Sequence, residues 1–271
     1  MIDGRLAALP MYDFPALADA HDRLWLGLVR HLEAAGVPDL PTRLRRDLSP
    51  VDTWVHPRLL LSQACEYPLA KTHGRHVRCV ATPRYSAPGC DGFRYRSAIV
   101  VRRDDPAAAL GELKGRRCAV NEMDSNSGMN LLRARIAPLA GGRPFFASVQ
   151  SSGSHAASAR LVADGGADVA ALDCVTFAHL RRMDPSLDAA LRVLAWTAPS
   201  PSLPLVTARA ADPALVESLR AALAAVSMDP ALRPALKTLA LSGFDCNPDE
   251  SFAEVLRLER GAAALGYPVL A

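Results

Sequence analysis

Ala163-Asp164-Gly165-Gly166-Ala167-Asp168-Val169-Ala170-Ala171-Leu172-Asp173 is the stretch that decides the fold. A helical segment stops at the two glycines, which accept the left-handed conformation a helix end calls for. Residues 167–172 then run apolar apart from Asp168, without polar alternation. That is the pattern of a strand covered by helices on both faces, and it belongs to an open α/β sheet. In such sheets ligands bind outside the carboxyl ends of the strands, where Asp173 stands.

Working outward, 117–121, 145–150 and 191–196 read as further strands. Residues 127–140, 154–164 and 175–183 read as the helices between them. Towards the N-terminus, 5–11 reads as a short strand. Leu17, Leu24, Leu28 and Leu32 recur at helical spacing, and Gly36 with Pro38 stops that helix. Residues 77–82 and 97–101 are β-rich runs on either side of the loop Ser86-Ala87-Pro88-Gly89-Cys90-Asp91-Gly92. After a proline-rich crossover at 197–204 come a strand at 205–208 and helices at 215–226, 231–241 and 251–265. The expected organisation is a discontinuous first lobe, 1–102 plus 199–271, with a second lobe, 103–198, inserted in it. Crossovers near Val101-Arg102-Arg103 and between Trp196 and Pro204 would form the hinge.

Composition bounds the function. A length of 271 residues suggests two compact units at about 150 residues each. A net charge of +3 over that length is no nucleic-acid signature, so no nucleic-acid partner is expected. No apolar run approaches the ~18 residues of a membrane helix. Met1-Ile2-Asp3-Gly4-Arg5 has no basic patch, apolar stretch or cleavage site. A cytoplasmic chain is expected from the residues as they stand, or a periplasmic one if a leader precedes them. Cys65, Cys79, Cys90, Cys118, Cys174 and Cys246 are scattered without a C-x-x-C pair and read mostly as small core residues. His73 and His76 sit in a glycine-containing turn that reads as solvated rather than as a metal site. No cofactor and no metal are expected, and a monomer or weak dimer is.

Three strand ends carry polar residues: Asp124-Ser125-Asn126-Ser127-Gly128, Ser151-Ser152-Gly153-Ser154-His155, and Asp173. The first two precede helices. Each offers unpaired backbone N–H groups and the positive end of a helix dipole. Ser125, Ser127 and Ser154 add hydroxyls, glycines let an anion approach the backbone, and His155 adds a further donor. Two such ends suit a tetrahedral oxyanion such as phosphate or phosphonate. Asp173 accepts hydrogen bonds or pairs with a cation. A small anionic ligand with an amine or hydroxyl beside its anionic head satisfies both demands. Each serine alone is more simply an N-cap, worth about 1 kcal/mol. The coincidence of three sites on one sheet edge carries the reading.

Four segments in this order carry a family resemblance: Glu112-Leu113-Lys114-Gly115-Arg116-Arg117, Asp124-Ser125-Asn126-Ser127-Gly128, Ser152-Gly153-Ser154-His155-Ala156-Ala157-Ser158, and residues 163–173. Together they resemble the phosphate/phosphonate-binding solute receptor family of ABC transporters. The resemblance implies an α/β, two-lobed type 2 periplasmic-binding-protein fold. Each lobe would be a doubly wound sheet with helices on both faces, with a hinge between them and ligand in the cleft. It implies that Ser125, Ser127 and His155 hold phosphonate or phosphate oxygens, with Ser154 beside them and Asn126 and Gly128 in the same cluster. Asp173 would hold an amino group, Tyr12 and Tyr85 would be ligand-facing aromatics, and an ABC transporter permease would be the partner. Asn126 departs from the family, where threonine is common. Gln63-Ala64-Cys65-Glu66-Tyr67-Pro68 departs from the first-lobe motif, and its Glu66 would alter recognition of the non-anionic half. A cytosolic dehydratase- or lyase-like enzyme on the same fold, acting on a small anionic metabolite, is the alternative. The pyrimidine-synthase type of that architecture is disfavoured, because its clustered cysteines are absent.

Overall fold

The structure, a computed structural model, describes residues 4–246 and 252–271. Two compact units divide the chain: residues 4–86, Asp91–Phe93 and 201–246 form the first, and Ala87–Cys90, Arg94–Ser200 and Phe252–Ala271 the second.

The first unit holds a five-stranded sheet ordered Leu6–Ala8, Leu59–Gln63, Leu205–Ala208, Val77–Tyr85, Leu241–Asp245. The first pair is parallel and the other pairs are antiparallel. Helix Ala18–Ala34 buries Leu24, Trp25, Leu28 and Leu32 against Leu219, Leu223 and Val226 of helix Pro213–Met228 and against Leu60 and Val80 of the sheet. The predicted stop is real: Gly36 takes φ 75°, and the Val37 N–H returns to the Leu32 carbonyl at 3.0 Å. Leu59–Gln63 is a buried strand that periodicity does not announce, because a short apolar run rich in leucine carries no period of its own. The helix expected over 231–241 ends at Thr238. Ala240 turns left-handed at φ 55°, and Leu241–Asp245 pairs with Val77–Tyr85.

The second unit holds a five-stranded sheet ordered Ser148–Ser151, Arg117–Val120, Val169–Asp173, Ser97–Arg102, Leu191–Trp196. The first three strands are parallel, and Ser97–Arg102 runs antiparallel to both of its neighbours. This redraws the expected division. Ala98, Ile99, Val100 and Val101 are completely buried, so their strand needs a partner on each side and cover on each face. It finds them between Val169–Asp173 and Leu191–Trp196. The chain therefore passes between units within 86–94 rather than near Val101, and again between Ser200 and Pro201, inside the predicted second crossover.

The C-terminal segment also belongs to the second unit. Its helix, predicted over 251–265, is described as Ala253–Ala264, and Ser251 lies outside the described residues. Asn130 donates to the Val255 carbonyl at 3.2 Å, and buried Arg133 donates to the Pro268 carbonyl at 2.8 Å. The strand expected over 145–150 is Ser148–Ser151, which starts three residues later and ends one later, because Phe145 and Phe146 turn inward and pack edge to face at 5.0 Å.

Arg133 is the polar fastening of this segment, since it also donates to Asn130 Oδ1 at 2.7 Å. Arg133→Met keeps the apolar stem but takes the donor from the buried Asn130 Oδ1 and from the Pro268 carbonyl. It is expected to cost about 2–4 kcal/mol, read as a lower urea midpoint. An unchanged midpoint would show that the C-terminal segment does not depend on the Arg133 hydrogen bonds.

Candidate functional site

The site is assembled on the carboxyl edge of the second sheet. Strand Arg117–Val120 is followed by Asn121, and after a short loop the chain enters a helix whose first turn, Asn126–Asn130, has the wide π form. It continues as Leu131–Ala140. Ser125 caps it: its Oγ accepts from the Gly128 N–H at 3.0 Å. Gly128 has no room for a side chain, because a Cβ there would fall 1.8 Å from Asn121 Oδ1.

The next strand, Ser148–Ser151, leads through Gly153, at φ 85°, into helix His155–Ala163. Ser154 caps this helix by accepting from the Ala157 N–H at 3.1 Å and is itself exposed. Asn121 braces the two loops: its backbone carbonyl accepts from the Gly153 N–H at 2.9 Å and the Ser151 hydroxyl at 3.0 Å. The central strand, Val169–Asp173, ends in the third cap, where Asp173 accepts from the Thr176 N–H at 2.8 Å at the head of helix Cys174–Met183.

Ser125, Ser154 and Asp173 thus all do the ordinary work of helix caps. Ser127 and His155 do not. Ser127 Oγ lies 2.8 Å from His155 Nε2, so the first turns of two helices from different strands meet through one side-chain hydrogen bond. Ser125 Oγ stands 3.4 Å from Ser127 Oγ, which puts three polar side chains together. The Ser97 hydroxyl donates to the Ser127 carbonyl at 2.9 Å and holds that turn against the sheet. Burial pushes the His155 imidazole down to about 4, with a backbone hydrogen bond to Ala171 working the other way. The ring is therefore neutral at pH 7, and the positive character of the site comes from N–H dipoles rather than a charged side chain.

The other predicted residues are placed as follows. Asn126 is buried, and its side chain donates to Tyr95 OH at 3.2 Å and Ser200 Oγ at 3.0 Å, while its Oδ1 accepts from Asn130 at 2.9 Å. It is built into the interior, and only its backbone is left to serve a ligand. Asp173 is almost fully buried and lies in register with Ser97. Tyr12 and Tyr85 belong to the first unit and meet edge to face at 5.2 Å. Tyr85 OH accepts from Gln63 Nε2 at 2.9 Å. Asn121 and Ser97 were not among the predicted site residues. A polar residue closing an apolar strand was the available signal for Asn121. Nothing local marks Ser97, whose role depends on a strand pairing made across the sheet.

Comparison with known proteins then bears on identity. Residues 59–251 match the model of a family described as ABC transporter, phosphonate, periplasmic substrate-binding protein. No curated protein matches the chain. Among solved structures, the Xanthomonas citri protein XAC2383, bound to chloride ion, is 22% identical with a TM-score of 0.70, over 96% of this chain and 98% of that one. A binding protein component of an ABC phosphonate transporter from Pseudomonas aeruginosa (PA3383) is 16% identical with a TM-score of 0.73, over 96% and 87%. PhnD1 from Prochlorococcus marinus, in complex with methylphosphonate, is 14% identical with a TM-score of 0.75, over 95% and 97%. At these identities the structural likeness speaks for the fold, the two-lobed architecture of periplasmic binding proteins. The family match speaks for more: it spans well over half of the 271 residues, and the chain belongs to the phosphonate ABC-transporter family of periplasmic substrate-binding proteins.

Proposed function

We propose that this chain binds a small phosphonate- or phosphate-type oxyanion at the carboxyl edge of the second sheet and presents it to an ABC transporter permease in the periplasm. The observation that carries the proposal is the Ser127–His155 hydrogen bond, which ties two helix N-termini together at a point where hydroxyls and backbone N–H groups gather. Ser127, Ser125 and His155 would take the anionic oxygens, Ser154 and the backbone of Asn126 and Gly128 would complete the cradle, and Asp173 would accept from an amine or hydroxyl on the ligand. Tyr12 and Tyr85 are the first unit's candidates for ligand contact. The methylphosphonate held by the Prochlorococcus marinus protein is the chemistry this donor set suits. A neutral His155 fits such a ligand, because neutral donors bind an oxyanion without demanding a second charge change.

Two measurements test this reading. Ser127→Ala combined with Ser154→Ala is expected to abolish the rise in melting temperature that methylphosphonate or phosphate gives the parent chain. An unchanged shift in the double variant would remove the site.

The second test uses protons. His155 ionises near 4 when folded against an ordinary 6.5, so between those values the unfolded chain takes up a proton that the folded chain refuses. Stability is therefore full above about pH 6.5 and falls as pH drops towards 4, by at most about 3 kcal/mol from this group. His155→Gln should flatten that part of the profile in urea titrations at pH 7 and pH 4.5. A wild-type slope retained by the variant would place the titrating group elsewhere.

A further inference from the structure

The thiols of Cys90 and Cys174 lie 3.4 Å apart, sulfur to sulfur, although they are 84 residues apart in sequence. Both belong to the second unit. We propose that they form a redox site, a dithiol that closes to a disulfide between Cys90 and Cys174 on exposure to a small-molecule disulfide.

The geometry is built rather than incidental. Cys90 ends a tight turn in which its N–H returns to the Ala87 carbonyl at 3.0 Å. Gly89 in that turn adopts φ 99°, and a Cβ there would lie 2.7 Å from the Trp196 ring and 3.0 Å from the Cys174 Cβ. A glycine is thus what lets the turn sit down on Cys174. On the other side, Cys174 is the first residue of helix Cys174–Met183, and its N–H is bonded to the Arg96 carbonyl at 3.1 Å. The sulfurs need to close by about 1.4 Å more to reach bonding distance.

The two thiols are unequal. Cys174 is buried, and the Cys90 thiol, burial and the Asp173 carboxylate together hold its proton on well beyond the usual thiol range. Cys90 is half-buried and is the one that meets a reagent. Its thiolate attacks one sulfur of the oxidant, forming a mixed disulfide and expelling one thiolate. With the Cys90 sulfur tied up in the mixed disulfide, the contact that most holds the Cys174 proton is gone; Cys174 gives that proton to hydroxide from solvent, and its thiolate attacks the Cys90 sulfur, forming the internal disulfide and expelling the second thiolate. The protein loses two thiol protons and two electrons, and one small disulfide becomes two thiols. A family whose members work in the periplasm works in a compartment that oxidises thiols, and a small disulfide is the probe for that chemistry here.

The experiment is to incubate the reduced full-length chain with excess glutathione disulfide at pH 8, block remaining thiols with iodoacetamide, and map peptides without reduction. The expected result is a cross-linked pair of peptides carrying Cys90 and Cys174, and two fewer alkylated thiols, both reversed by dithiothreitol. The oxidised chain should also melt several degrees higher than the reduced one, because the bond closes a long loop of the unfolded chain. Cys90→Ser should show neither change, and Gly89→Ala should slow the cross-link severalfold. Both thiols remaining alkylatable, Cys90 stopping as a mixed disulfide with glutathione, or cross-links to other cysteines would each overturn the proposal. None of these readouts depends on the ligand, so failure here leaves the oxyanion reading standing.

Discussion

Burial of strand Val169–Asp173 is the constraint on which the second unit depends. Val169, Ala170, Ala171 and Leu172 expose no surface, so every backbone N–H and C=O of the strand must be paired within the protein. Parallel pairing with Arg117–Val120 on one side and antiparallel pairing with Ser97–Arg102 on the other meets that demand. The site follows from those pairings. Register with Ser97 fixes where Asp173 ends, and the Ser97 hydroxyl fixes the turn that carries Ser127. A strand that is apolar up to its last residue thus positions most of the polar cluster at its edge.

The electrostatics of that edge come from backbone more than from charge. His155 stays neutral, and three of the polar candidates are spent on capping helices. What the proposed site offers an anion is a set of N–H groups and hydroxyls, buried at Ser125 and Ser127 and exposed at Ser154. Hydrogen bonds there are stronger than in water, and unpaired ones are costly. An oxyanion that fits the proposed site would be held firmly there, and one that leaves donors unpaired would gain little. The buried Asp173 adds the opposite polarity nearby, which suits a ligand with an anionic head and a donor group.

Much of this was legible in the residues alone. Gly165-Gly166 after a helical run and the apolar stretch that follows predict the central strand, and the structure places it there. Strands Leu191–Trp196 and Leu205–Ala208 begin and end where their β-rich composition says. The two serine-glycine clusters mark helix starts because unpaired N–H groups need acceptors, a local requirement that leaves a local trace. Two of the strands that escaped, Leu59–Gln63 and Leu241–Asp245, are short, and their pairing partners lie far away in sequence.

The sequence by itself determined the α/β class, the placement of the helix-capping clusters and the polar character of one sheet edge, because each arises from interactions within a few residues. Only the tertiary structure decided that Ser97–Arg102 and the C-terminal helix belong to the second unit, and that the Asn126 side chain turns inward. It also decided that Ser127 reaches His155, and that Cys90 meets Cys174. Those outcomes depend on which distant strands pair and on which side chains the resulting interior desolvates. That competition is settled between segments, and no single segment records it.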